Sequence, residues 1–164
     1  MVHDMSRPGT DEEILGIIES QAYRRWTIAG YRYWDLQLNP SDQMLLGRSY
    51  AWLRNRHIDR MSMSDLGKAE LEELIFTVLP AFAGAVKRIW PVTNVNFEWL
   101  GNSTDHHRGH GHAHLIPRLS RSVEFMGHMF MDAEPQKRRP AGRLELDDEV
   151  LEQIRYVIKA ELER

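Results

Sequence analysis

The sequence contains no cysteine, and this absence excludes several kinds of site at once. Disulfide frameworks, cysteine nucleophiles, zinc ribbons and mixed Cys/His fingers all require a thiol. The absence also fits a reducing compartment. No apolar run approaches the roughly 20 residues that span a bilayer, and the first residues lack the apolar segment of a signal peptide. We therefore expect a cytoplasmic protein without a membrane partner.

The chain also lacks an excess of positive charge. Lys and Arg number 21 against 24 Asp and Glu, which gives a formal net charge of −3. This balance argues against a general nucleic-acid binder, so no nucleic-acid partner is expected. The length of 164 residues and the hydrophobic content of 42% fit one globular domain that spans 1–164.

Hydrophobic periodicity predicts the order of the secondary-structure elements. A long helical pattern covers Leu66–Ile89, with a kink or break expected at Pro80. A helix starting near Thr10 and a C-terminal helix over Asp147–Arg164 are also predicted. The predicted strands are Tyr31–Leu38, Leu45–Leu53, Val95–Leu100, His110–Ile116 (stopped by Pro117) and Val123–Phe130. This order predicts an α+β fold with a mainly antiparallel five-stranded sheet, a long helix and a C-terminal helix.

Residues 133–146 form an exposed linker in this interpretation, because the stretch contains two prolines and several basic residues. Most of the methionines, including Met126, Met129 and Met131, are expected to fill gaps in the core. Core packing is also the expected role of most tryptophans, although a base-stacking wall is an alternative. The five are Trp26, Trp34, Trp52, Trp90 and Trp99.

Histidine is the residue type that stands out. Five of the eight histidines lie between His106 and His114, and His110, His112 and His114 alternate with other residues. In a strand, alternate side chains share one face. Successive histidines would then be about 6.7 Å apart and the outer pair about 13 Å. The pattern therefore predicts one wall of a site with three imidazoles.

Three kinds of chemistry fit such a wall. Two alternating histidines can bind one zinc ion, with Asp105, His106 or His107 as a further ligand. A neutral imidazole can instead attack a phosphoryl group, while its neighbours fix its tautomer and bind phosphate oxygens. The third possibility is a packed strand without chemistry. Three alternating histidines that end in Leu115-Ile116-Pro117-Arg118 favour a functional site over that possibility.

The stretch from His110 to Arg118 resembles the motif of the histidine-triad (HIT) superfamily of nucleotide hydrolases and transferases. Asn96, Leu100-Gly101-Asn102 and the segment Val123–Asp132 extend the resemblance to bacterial HIT proteins of the diadenosine polyphosphate hydrolase type. The similarity covers residues 25–132, which would be the core, followed by the linker and a C-terminal helix over 147–164. It implies a homodimer that acts on a nucleotide or dinucleoside polyphosphate.

The resemblance also implies the roles of individual residues. His112 would be the nucleophile that accepts a nucleotidyl group, and His110 and His114 would orient it and bind phosphate. Asn39 would contact the ribose, and Asn102 would lie on the phosphate side of the pocket. No resident metal or cofactor is required, although a divalent ion could accompany the substrate phosphates.

The chain departs from the family pattern at two places. The stretch before the triad is Asp105–Gly109, where many HIT enzymes have a Gly-Gln-Ser/Thr-like sequence. Either His107 or Arg108 takes over phosphate binding there, or the substrate differs. Near Arg48-Ser49 the chain lacks a fourth histidine that some branches have.

One further candidate for phosphate contact and two alternative functions remain open. Arg118 could bind phosphate or form a structural salt bridge. Two other functions stay possible for the whole protein: a non-catalytic nucleotide-binding module, and a metal-dependent hydrolase that uses the histidine cluster.

Overall fold

The computed structural model describes residues 24–54, 62–99, 111–137 and 142–164. Within these residues the structure has seven strands and five helical segments. The strands are β1 (Thr27–Gly30), β2 (Trp34–Leu38), β3 (Ser49–Leu53), β4 (Val92–Trp99), β5 (His112–Leu119), β6 (Val123–Phe125) and β7 (His128–Phe130). The helical segments are a 3-10 turn (Met63–Asp65), α1 (Lys68–Glu73), a π-helical segment (Leu74–Val78), α2 (Leu79–Ile89) and α3 (Asp148–Leu162).

Five strands form one antiparallel sheet in the order β1-β2-β3-β5-β4. A continuous helix of about 22 residues and the C-terminal α3 accompany the sheet. The predicted α+β class with a five-stranded antiparallel sheet is therefore confirmed. β5 is an interior strand between β3 and β4, so His112 and His114 lie inside the sheet rather than at its edge.

One face of the sheet packs against the helices. Leu36, Ala51 and Ala113 are paired across β2, β3 and β5 and are fully buried in the main core. The helices contribute apolar residues such as Phe82 and Ile154 to the same core. Burying a large apolar side chain of this kind stabilises a fold by about 1.5–3 kcal/mol. Because side chains alternate along a strand, the residues next to these three point to the opposite face.

The long helix continues through Pro80 without a break. The segment Leu74–Val78 is π-helical, and the N–H of Leu79 donates to the carbonyl of Leu74. Pro80 lies in the first turn of α2, directly after this segment. A π-helical turn changes which N–H and carbonyl groups pair, and this change accommodates the absence of a backbone N–H at Pro80. The helix therefore does not break at Pro80, and a π-helical segment directly precedes the proline.

Two strand boundaries were predicted wrongly near the start of the sheet. Tyr31 and Tyr33 lie in the turn between β1 and β2, where the N–H of Tyr31 donates to the carbonyl of Trp34. β1 itself was missed. β3 begins at Ser49 rather than Leu45, because the preceding turn contains Gly47 with a φ of 82°.

The strand that contains the histidine motif extends beyond its predicted end. β5 continues through Pro117, which pairs with Val95 of β4. Pairing with β3 ends at Ser49 and Leu115, so no hydrogen bond to that strand is lost at the proline. The prediction that Pro117 stops the strand was wrong for this reason.

The predicted fifth strand, Val123–Phe130, is a hairpin outside the main sheet. β6 and β7 pair with each other around Met126 and Gly127, whose φ angles are 51° and 75°. Two consecutive positive φ angles are typical of a tight hairpin turn. Met126, Met129 and Met131 are exposed by 46%, 64% and 56%, so their predicted role in the core was wrong.

The C-terminal helix is confirmed over Asp148–Leu162, with Val150, Leu151, Ile154 and Ile158 buried. The predicted helix near Thr10 lies outside the described residues. No helix in the described ranges is long and apolar enough to cross a membrane.

Candidate active site

β5 places two histidines of the motif on the sheet face that points away from the helices. His112 and His114 are buried, with 3% and 7% of their surface exposed, and their ring centroids lie 5.0 Å apart. The intervening Ala113 points into the core. The alternation predicted from the sequence therefore brings these two imidazoles together on the same face of β5.

Aromatic side chains of β3 surround the two imidazoles. His112 is paired in register with Trp52, and His114 with Tyr50. The ring of Trp52 is stacked on His112 at 4.9 Å between centroids, with 20° between the ring planes. Tyr50 meets His112 and His114 edge-on at 5.5 Å and 4.9 Å. These contacts restrict the orientations that both imidazoles can adopt.

Two buried carboxylates share this face. Glu98 of β4 lies directly opposite His114 in the register, and Asp35 of β2 lies opposite Trp52. Asp35 forms an ion pair with Arg54 at 3.4 Å. Directly opposed residues of an antiparallel pair have Cβ atoms about 4.5–5.5 Å apart, so Glu98 is near enough to influence the imidazole of His114 electrostatically.

Asn39 lies just beyond the end of β2, at the rim of the same face. Its backbone N–H donates to the carbonyl of Arg48 at 3.0 Å, and its side-chain oxygen accepts the N–H of Ser41 at 3.0 Å. Alternation along β2 puts it on the side of the histidines. Because β3 lies between β2 and β5, Asn39 is about 10 Å from the histidine strand across the sheet.

A network of side-chain hydrogen bonds holds the loop between Asn39 and β3. The buried Gln43 donates from Nε2 to the carbonyls of Asn39 and Arg48, at 2.6 Å and 2.9 Å, and accepts the N–H of Gly47 at 2.9 Å. Arg48 forms an ion pair with Asp42. The loop is therefore braced from within, which fixes the position of Asn39.

Arg118 is engaged away from the histidines. Its Nε and Nη2 donate to Asp132 at 2.6 Å and 3.0 Å, and two further bonds go to the carbonyls of Lys137 and Glu134. Arg118 is six positions along the strand from His112, which corresponds to about 20 Å. Of the two roles left open for Arg118, this geometry favours the structural one.

Several predicted site residues lie outside the described residues. They are His110, His107 and Asn102, together with His106 and Arg108. Among the residues that the structure does describe, no group of three or more His, Asp or Glu is arranged to hold a metal ion.

Sequence reasoning missed Tyr50, Glu98 and Gln43, and it named Trp52 only as one of five tryptophans that could form a base-stacking wall. Tyr50 and Trp52 alternate within a predicted strand, which is the only local signal that they share a face. Their position beside the histidines depends on the pairing of β3 with β5, two strands far apart in the sequence. Glu98 likewise alternates with Phe97 and Trp99 within a predicted strand, whereas Gln43 lies in a loop and has no such signal.

Comparison with known proteins identifies the fold. No protein-family model and no curated relative matches this sequence. Solved structures do match. A histidine triad protein from Sinorhizobium meliloti has a TM-score of 0.60 at 15% identity, over 96% of this chain and 98% of that one. A hypothetical histidine triad nucleotide-binding protein from Sulfolobus tokodaii has a TM-score of 0.58 at 17% identity, over 84% and 83%.

A Zn-bound histidine triad family protein from Mycobacterium smegmatis has a TM-score of 0.55 at 14% identity, over 84% of this chain and 83% of that one. The chain therefore has the fold of histidine-triad proteins. Within that fold, β5 carries His112 and His114 of the sequence motif.

Proposed function

We propose that this chain is a HIT-type nucleotide hydrolase or nucleotidyl transferase. It cleaves a phosphoanhydride or phosphoramidate bond of a nucleotide, such as a dinucleoside polyphosphate, through a covalent nucleotidyl intermediate on His112. The observation that carries this proposal is the placement of His112 and His114, with ring centroids 5.0 Å apart, on one face of an interior strand of a histidine-triad fold.

In this mechanism a neutral imidazole of His112 attacks the phosphorus of the nucleotidyl group. Imidazole suits this role because its unperturbed pKa is near 6.5, so the neutral form is abundant at pH 7. His114 lies beside it and binds a phosphate oxygen, as His110 does in the proposed site. Water then cleaves the bond between phosphorus and nitrogen and regenerates the enzyme.

The nucleoside portion of the substrate lies toward Asn39. A nucleotide with its ribose at Asn39 and its phosphate at His112 would cross β3 and pass over Tyr50. His107 and Asn102 are proposed on the phosphate side, with Arg108 as an alternative to His107. The reaction needs no resident cofactor, and any divalent ion enters with the substrate phosphates.

Substitution of the nucleophile tests this proposal. His112→Ala should lower the turnover of dinucleoside polyphosphates and nucleoside phosphoramidates by several orders of magnitude, as removal of a covalent nucleophile does. His128→Ala is the matched control, because His128 lies on β7, outside the five-stranded sheet. Circular dichroism checks that both variants fold. Turnover by a folded His112→Ala protein at the control's rate would disprove the mechanism.

Nucleotide binding without turnover is the second candidate function. The observation in its favour is the burial of both imidazoles, which leaves 3% and 7% of the residues exposed. Calorimetry with a panel of nucleotides separates the two functions. Tight binding without release of any product across the panel would favour the binding module.

A metal-dependent hydrolase is a third candidate, because one structural neighbour is Zn-bound. Elemental analysis of protein purified without a histidine tag tests it. We expect no stoichiometric metal. We also expect the activity to survive treatment of the protein with a chelator. Stoichiometric zinc together with loss of activity in chelator would favour the metal enzyme instead.

We also propose a homodimer. Within the described residues β4 pairs only with β5, so its other edge is available to a second copy. Sedimentation equilibrium should give the mass of a dimer. A monomer at micromolar concentration would contradict this part of the proposal.

A further inference from the structure

Trp52 is buried on the sheet face that carries His112 and His114. It is 9% exposed, and the main apolar cluster of the described residues does not include it. The other four tryptophans belong to that cluster or pack against it. The ring of Trp52 lies 4.9 Å from that of His112, nearly parallel, and 6.3 Å from that of Tyr50.

The stacking geometry has an electrostatic consequence. The face of an indole ring carries negative partial charge, and it attracts a cation within about 6 Å of the ring centroid. Indole is the strongest of the aromatic side chains in this respect. The separation of 4.9 Å therefore places the imidazole of His112 where any positive charge on it is stabilised.

We propose that Trp52 is a positioning residue for the reaction on His112, a role that rests on the function proposed above. It holds the imidazole plane parallel to the indole and stabilises the positive charge that the imidazole gains when it becomes nucleotidylated. This role differs from the base-stacking wall considered from the sequence, because the ring is stacked on the nucleophile rather than on a nucleobase.

The step that generates the charge can be written in full for a phosphoanhydride. An imidazole nitrogen of His112 donates its lone pair to phosphorus and forms an N–P bond. The P–O bond to the leaving phosphate breaks, and that phosphate departs with the bonding electron pair. The imidazole keeps the proton on its other nitrogen, so the ring is cationic until water cleaves the N–P bond.

Fluorination of the tryptophans tests this role without altering the shape of the site greatly. Fluorine withdraws electrons from the indole face and weakens its attraction for cations. The protein is produced with tryptophan, then with mono-, di- and trifluorinated tryptophan, and the single-turnover release of the leaving group is measured. The same series in Trp52→Phe is the matched control, since it retains a ring at position 52 but fluorinates only the other four positions.

We expect the rate to fall stepwise with fluorination in the wild type and to stay constant in Trp52→Phe. Trp52→Leu should lower the rate about 2- to 30-fold, the range that corresponds to a partly or fully desolvated cation–π contact. Trp26 lies directly before β1 and away from the histidines. The Trp26→Leu variant should therefore have the wild-type rate.

Equal effects of fluorination in the wild type and in Trp52→Phe would overturn the role of Trp52, as would no effect in either. Both results leave the nucleotidyl intermediate intact, because the leaving group is still released. If the unmodified wild type releases no leaving group at all, the proposed function fails and the role of Trp52 fails with it.

Discussion

Arg118 and Asp132 form a two-point ion pair inside the protein. Nε of Arg118 lies 2.6 Å from Oδ2 of Asp132, and Nη2 lies 3.0 Å from Oδ1. Both side chains are almost completely buried. The pair ties the end of β5 to the chain that follows β7, and it uses the arginine that the motif places four residues after His114.

Removal of one partner of this pair should destabilise the fold strongly. Asp132→Ala leaves a buried guanidinium without its carboxylate, which typically costs about 3–5 kcal/mol. The double variant Arg118→Met, Asp132→Leu should be less destabilised than Asp132→Ala, since no buried charge remains. Urea denaturation measures both. If Arg118→Lys raises KM for nucleotides strongly in a folded protein, Arg118 binds phosphate and the structural interpretation is wrong.

Gly47 should tolerate no side chain. Its φ is 82°, and a Cβ atom there would lie 2.8 Å from Cζ3 of the buried Trp90. Backbone strain alone costs roughly 1–3 kcal/mol, and the clash adds to it. Gly127→Ala is the matched control, because Gly127 has a φ of 75° but no atom within 4 Å of the added Cβ. Equal loss of stability in the two variants would show that the contact with Trp90 is irrelevant.

Gln43 should affect substrate binding through the loop that it braces. Gln43→Met removes three hydrogen bonds, to the carbonyls of Asn39 and Arg48 and from the N–H of Gly47. Buried groups that lose their partners cost roughly 1–3 kcal/mol each, so the loop should relax. We expect KM to rise and kcat to change little, because the effect falls on ground-state binding at Asn39.

The control for this prediction is Gln153→Met, at an exposed position of α3. Steady-state kinetics should show wild-type parameters for it. A fall in kcat without a rise in KM for Gln43→Met would place the loop's influence on the chemical step instead.

Glu161 should contribute to stability only above acidic pH. Its hydrogen bond with Arg88, at 2.5 Å, lowers the pKa of the Glu161 carboxyl. A group whose pKa is lower in the folded state stabilises the protein above its unfolded pKa, and this contribution is lost as the pH falls through its folded pKa. The wild type should thus be more stable than Glu161→Gln at pH 7, and the difference should shrink as the pH falls below the unfolded pKa of about 4.3. Thermal melts from pH 3 to 7 that run parallel would contradict this.

The parts of the fold that were predicted correctly have local signals. Val95 and Phe97 alternate with polar residues, and the structure has them in β4. The apolar stripe that includes Ile154 and Ile158 likewise gave α3. The turn between β1 and β2 contains Tyr31 and Tyr33 instead of common turn residues, so the two strands could not be separated by pattern alone.

The candidate site was predictable only along one strand. The spacing of His112 and His114 implies a shared face, because side chains alternate along a strand. The neighbours Trp52 and Glu98 come from β3 and β4, and their approach depends on the order and register of strands that are distant in sequence. Arg118 shows the converse: its residue type suits phosphate, but its partner Asp132 is fixed by tertiary structure.

The central claim, a nucleotidyl intermediate on His112, is tested most directly by trapping that intermediate. The protein is mixed with a dinucleoside polyphosphate, quenched at alkaline pH within milliseconds and analysed by intact and peptide mass spectrometry. The account predicts one added nucleoside monophosphate group on the peptide that contains His112, and none in His112→Ala. Turnover of the same substrate with no adduct at any quench time, or an adduct that persists in His112→Ala, would contradict it.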